Sequence, residues 1–140
     1  MERSNVVALA DFVPDERELW QQVFPAAGLA VQLLPDDVAG ALRRVRELRP
    51  EIVVTRIGPA RFGIDLLLAM RADAAVVDIP VLVLTSYSLP ALQAEAHAAG
   101  ADEVILLPIV PDELCALAWG LIRHGRSRRA RPAAVCKRHL

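Results

Sequence analysis

The sequence predicts an α/β domain built on a doubly wound, five-stranded parallel sheet with five helices. Short β-branched apolar runs alternate along the chain with segments whose apolar residues recur at helical spacing, and the joints between them are short and marked by proline, glycine and aspartate. A chain of 140 residues, 54% hydrophobic and 24% charged, also has the size and composition of one folded domain with a continuous core.

The elements follow in order. Residues 6–10 read as the first strand and 15–24 as the first helix, with Pro14 at its start, where a missing amide costs nothing. Residues 29–33 form a second strand. Asp36 or Asp37 can cap the second helix, in which Val38, Leu42, Val45 and Leu48 share one face while Arg43, Arg44, Arg46 and Glu47 take the solvated one. Residues 52–55 are the third strand, about 62–71 the third helix, and 81–85 the fourth strand. The fourth helix starts near Pro90 and stops at Gly100, a residue that tolerates positive φ. Residues 103–106 are the fifth strand. The fifth helix follows Pro111, with Leu114, Leu117, Ala118, Leu121 and Ile122 on one face.

For five strands each followed by a helix, the flavodoxin-like order 2-1-3-4-5 is the common solution, and its binding crevice lies at the carboxyl ends of strands one and three. Asp11, Phe12 and Arg56 fall there, and Thr85 and Leu107 complete the rim. A guanidinium is charged at any ordinary pH and is no nucleophile, so Arg56 at the end of a buried strand needs a partner, a ligand or a route to water.

Charge and special residues narrow the function. The apolar stretch 104–110 is far short of the roughly 20 residues of a membrane span, and the amino-terminal run is too short for a signal-peptide core, so a cytoplasmic protein is expected. Cys115 and Cys136 fit neither a metal-ligand spacing nor a disulfide framework, and His97, His124 and His139 read as solvated. Residues 125–140 hold six basic residues and no acid, which leaves 10 basic against 17 acidic residues before them, so a body of −7 carries a tail of +6. The expected organisation is a domain over 1–124 and a mobile basic tail over 125–140.

Four segments, "VALADFVPDERELW", "LRPEIVVTRIGP", "ADAAVVDIPVLVLTSYS" and "AAGADEVILLPIVPDEL", fall in the order and spacing of a known family. The chain resembles the receiver domain of two-component response regulators over roughly residues 5–123. That resemblance implies a chemistry: an aspartate ending strand three accepts a phosphoryl group, two acids after strand one hold Mg²⁺, a hydroxyl follows strand four, and a lysine-proline turn follows strand five. Carried over, the first acid is Asp11, the second acid is replaced by Phe12, the acceptor by Arg56 and the lysine by Leu107, while Thr85 and Pro108 are kept. The aromatic that couples to the hydroxyl in many receivers falls at Val104.

A stand-alone receiver degenerate at its phosphorylation site is the expectation, with no catalysis, no metal and no cofactor, and with Arg56 paired to Asp11 in the space of the metal and phosphoryl group. Its expected partner is a protein (a signalling kinase, a regulator or a second copy) held on the face of helix four, strand five and helix five, for which Ala91, Ala94, Ala98, Val104 and Leu117 are the candidate residues. Two alternatives stay open: a receiver still switched by a phosphoryl group on a substitute acid or by a small anion in the crevice, and a DNA-associated regulator that uses the basic tail.

Overall fold

The computed structural model describes residues 5–10, 12–57, 61–86 and 88–130, the last four by backbone alone. Five strands, β1 (Val6–Ala10), β2 (Ala30–Leu33), β3 (Ile52–Ile57), β4 (Val81–Thr85) and β5 (Glu103–Leu106), form one parallel sheet in the order β2-β1-β3-β4-β5. The helices are α1 (Pro14–Ala26), α2 (Val38–Leu48), α3 (Phe62–Arg71), α4 (Pro90–Ala99) and α5 (Pro111–Ala130). The expected order and fold class are those observed.

Strand periodicity divides the core in two, because successive side chains point to opposite faces of the sheet. Val7, Leu9, Ile52, Val54, Leu82 and Leu84 pack with Trp20 and Phe24 of α1 and Leu114, Ala118 and Ile122 of α5. Ala8, Ala10, Val53, Ile57, Val81 and Val83 face the other way, onto α2, α3 and α4. The helix ends follow local chemistry. Asp37 Oδ2 accepts from Gly40 N at 2.7 Å to cap α2, and α4 ends on Gly100 at φ +113°. Arg71, in the last turn of α3, donates to the carbonyls of Gly100, Val77 and Ile79 and pairs with Asp102 at 2.8 Å, fastening the edges of β4 and β5 to that helix.

One boundary differs from the sequence reading. Helix α5 continues six residues past His124, through 125–130, where a mobile tail is expected. The reason lies in contacts that an apolar period does not reveal: Gly125 is buried, and Arg126 Nε donates to Glu51 Oε2 at 3.0 Å and its NH2 to Asn5 Oδ1 at 2.7 Å. The Arg126 guanidinium also lies 6.0 Å from the centre of the Trp119 ring. Residues 131–140, the rest of that tail, lie outside the described residues. Among the described residues no helix is long and apolar enough to cross a membrane.

Candidate functional site

The strand order reverses between β1 and β3, so the crevice of this sheet opens at their carboxyl ends. Registers Ala10↔Thr55 and Ile57↔Thr85 bring the ends of β1, β3 and β4 side by side, and Leu107 N donates to Thr85 O at 2.7 Å to add the β5 end. The candidate residues Phe12, Arg56, Thr85, Leu107 and Pro108 are thus assembled around one rim; Asp11 lies outside the described residues.

Alternation decides where Arg56 goes. Ile52 and Val54 face α1 and α5, so Arg56, two residues on, faces them as well. Its Nε stands 3.5 Å from Glu16 Oε1 in the first turn of α1, and the two side chains are 24% and 25% exposed. At that separation the pair is an electrostatic contact without a directed hydrogen bond. Both atoms are sealed from water with no hydrogen-bond partner among the described residues, and Trp20 Nε1, one turn further along α1, is in the same condition. The partner proposed from sequence, Asp11, lies outside the described residues, and the partner found is Glu16. Sequence reasoning missed it, although the period-two parity of β3 and the acid-rich start of α1 together point to it.

The other positions divide between core and rim. Phe12 is buried with Trp20 and Leu9 in the α1/α5 half of the core, so its ring is a packing group worth about 2–3 kcal/mol of burial. Thr85 is buried and ends β4 on the α3/α4 side, in register with Ile57, and the buried Thr55 donates through Oγ1 to Ala10 O at 3.3 Å. Leu107 is half-buried against the α1/α5 core, and its bond to Pro108 is cis. On the rim, Arg61 donates to Glu95 at 2.6 Å from α3 to α4, and that bond holds the Glu95 carboxyl below the usual carboxylate range.

Beside the crevice lies a cleft of about 490 Å³ lined by Glu16, Leu19, Trp20, Ser86, Leu107, Pro108 and Ile109. Five of its seven residues were absent from the sequence reading, because α1 and the β5–α5 turn meet only in the folded chain. Of the candidate partner residues, Ala91, Ala94 and Ala98 lie together on the exposed side of α4, Leu117 is half-buried on α5, and Val104 packs half-buried against the α3/α4 core.

Among the described residues no group of three or more histidine, cysteine, aspartate or glutamate side chains is placed to hold a metal ion; Phe12 is turned into the core, and Arg56 faces the acid that reaches the crevice from α1.

Comparison with known proteins completes the assignment. No family model matches the chain. It is 28% identical over 130 residues to the DNA-binding response regulator MtrA of Mycolicibacterium smegmatis, an alignment covering 92% of this chain and 55% of that protein. A response regulator from Burkholderia multivorans, solved in solution, is 28% identical with a TM-score of 0.66 and is covered to 96%, with 91% of this chain. The chain is a receiver domain of the response-regulator type. A receiver from a Pseudomonas aeruginosa sensor histidine kinase, solved with magnesium coordinated in its active-site cleft, shares this fold at a TM-score of 0.74 and 19% identity, over 84% of this chain and 96% of that one. The receiver spans about half the length of the curated relative it matches.

Proposed function

We propose that this receiver acts in two-component signalling by protein contact, in the cytoplasm and without catalysis, and that it accepts no phosphoryl group at the end of β3. The observation that carries the reading is the Arg56–Glu16 pair: a fixed cation occupies the acceptor position, and a carboxylate from α1 is committed to it. Burial of Phe12 and the apolar side chain at Leu107 act in the same direction, since neither can hold a metal or neutralise charge building on phosphoryl oxygens. The partner is a signalling kinase, a regulator or a second copy. The exposed alanines Ala91, Ala94 and Ala98 support the α4 side as its seat, because small side chains allow another backbone to approach closely.

The test is an amide-resolved NMR titration with Mg²⁺ and then with beryllofluoride, a mimic of the phosphorylated carboxylate. Resonances of Phe12, Arg56 and Thr85 are expected to stay in place at millimolar ligand. Saturable shifts clustered at those residues would overturn the reading in favour of a phosphoryl-driven switch.

A further inference from the structure

Helix direction sorts the charge of this domain. In a parallel sheet covered by crossover helices, each helix begins at the carboxyl end of the strands and finishes at their amino end. The first turns carry acids, Asp15 and Glu16 in α1, Asp65 in α3, Asp112 and Glu113 in α5, whereas Arg46 and Arg71 stand in the last turns of α2 and α3. No acid follows Glu113 in the sequence, and residues 123–130 of α5 bring Arg123, Arg126, Arg128 and Arg129 to the amino end. The crevice rim is thus the acidic pole, and the opposite end of the sheet is the basic one.

The acids of that basic pole are already engaged. Glu51 pairs with Arg126 at 3.0 Å, Asp73 with Arg46 at 2.7 Å and Asp102 with Arg71 at 2.8 Å, and Asp78 is not free either. Arg49, two residues before Glu51, gives its NH1 to the Ala75 carbonyl, and no carboxylate among the described residues pairs with it or with the exposed Arg123. The bonds from Arg126 to Glu51 and Asn5 hold α5 level with the first residues of β3 and β1, so residues 127–130 carry the helix about 6 Å past the sheet.

We propose that the amino pole binds double-stranded DNA through its phosphates, with the last turns of α5 seated in the major groove. Arginines without carboxylate partners match closely spaced phosphates, each guanidinium presenting a planar fork of donors. The major groove, about 12 Å wide, admits one α-helix, and the acidic rim at the far end turns a polyanion toward this pole. Other anionic partners fit the surface less well. Among the described residues no tryptophan, tyrosine or phenylalanine is exposed for stacking on single-stranded bases, and Val77 is the one large apolar side chain exposed in the loops of this end, too little to enter a bilayer. The proposal does not depend on whether the crevice takes phosphoryl groups, because the two sites lie at opposite ends of the sheet.

The test follows the fluorescence anisotropy of a labelled duplex DNA of arbitrary sequence, about 20 base pairs long, on addition of the full chain. Saturable binding is expected at about 50 mM salt, weakened at least about 40-fold at about 200 mM as three or four phosphate contacts are screened. Arg49→Gln and Arg123→Gln, neither of which breaks an ion pair, should each weaken binding about two- to fivefold and lower the salt slope by about one. Arg17→Gln removes the same charge in the first turn of α1, at the acidic pole, and should leave affinity within about twofold. Absence of binding at the lower salt would overturn the proposal, as would an Arg17→Gln loss equal to that of Arg123→Gln, which would mean attraction by net charge alone. A larger loss in Lys137→Gln/Arg138→Gln than in Arg49→Gln/Arg123→Gln would move the contact off α5 and overturn it too. Vesicles containing phosphatidylserine are the remaining arm: binding to them as tight as to the duplex would make the surface a membrane contact instead.

Discussion

Arg56 Nε stands 3.5 Å from Glu16 Oε1, joining the carboxyl end of β3 to the first turn of α1 across the crevice of the sheet. Both side chains are about three-quarters buried, which places the pair between a surface ion pair of little value and a buried one whose rupture is costly. Arg56→Ala is expected to destabilise the domain by about 1–2 kcal/mol, because Glu16 is left with a half-dehydrated charge. The added change Glu16→Gln should recover part of that loss. Urea unfolding of the two single variants and the double variant measures the coupling; a value below about 0.3 kcal/mol would mean that the two groups are neighbours without being partners.

The same substitution should have opposite signs at two glycines. A Cβ at Gly63 would fall 2.5 Å from the Arg56 carbonyl oxygen and 3.2 Å from Thr55 Oγ1, where α3 begins against the end of β3. Backbone cannot swing aside, so Gly63→Ala should cost about 1–3 kcal/mol. At Gly120, inside α5, nothing lies within 4 Å of the added carbon. Gly120→Ala should therefore stabilise by about 0.5–1 kcal/mol through helix propensity and a less flexible unfolded chain. Thermal midpoints that move in the same direction for both would contradict this packing at the crevice.

The last turns of α5 depend on Arg126. Its bonds to Glu51, whose side chain is only 7% exposed, and to Asn5 are the described polar ties between the end of that helix and the amino edge of the sheet. Arg126→Ala should cost about 1–3 kcal/mol and release amide protection from residue 123 onward, leaving the helix intact through Ala118 and Ile122, which are packed in the core. Hydrogen exchange resolves the two halves. Uniform loss along α5 would show that the arginine supports the whole helix.

Cys115 on α5 should be a slow thiol. Burial pushes its pKa above the ordinary value of 9.0, and the nearby Asp112 carboxylate adds to the shift. The neutral thiol is thus favoured by folding, so the stability it contributes is complete below about pH 9 and is lost as pH rises through the folded-state pKa. Iodoacetamide needs the thiolate. In a Cys136→Ser background, alkylation at pH 8 should run well below the rate of a free cysteine model compound, and Asp112→Asn should quicken it. A rate equal to the model compound would mean that the sulfur, which lies against the Val23 carbonyl of α1, is open to solvent.

The sequence by itself determined the layered architecture and which strand ends meet at the crevice. Apolar runs of β-branched residues can be covered only by helices on both faces, and proline, aspartate and glycine at the joints mark nearly every element to within a residue or two. Strand ends are local features, so Phe12, Arg56, Thr85, Leu107 and Pro108 could be placed at one rim from the chain alone. Pairing across the rim was a different matter. That Arg56 meets Glu16 depends on how α1 sits over the sheet, and the docking of Trp20 and Phe24 against Leu9 and Val54 brings that acid to it. The end of α5 shows the same limit: no apolar period runs past Ile122, and the helix continues because a buried glutamate and an asparagine from the far end of the chain meet Arg126. Periodicity records which face of an element is apolar, whereas an ion pair or a cleft between two elements exists only after hydrophobic packing has fixed their distance.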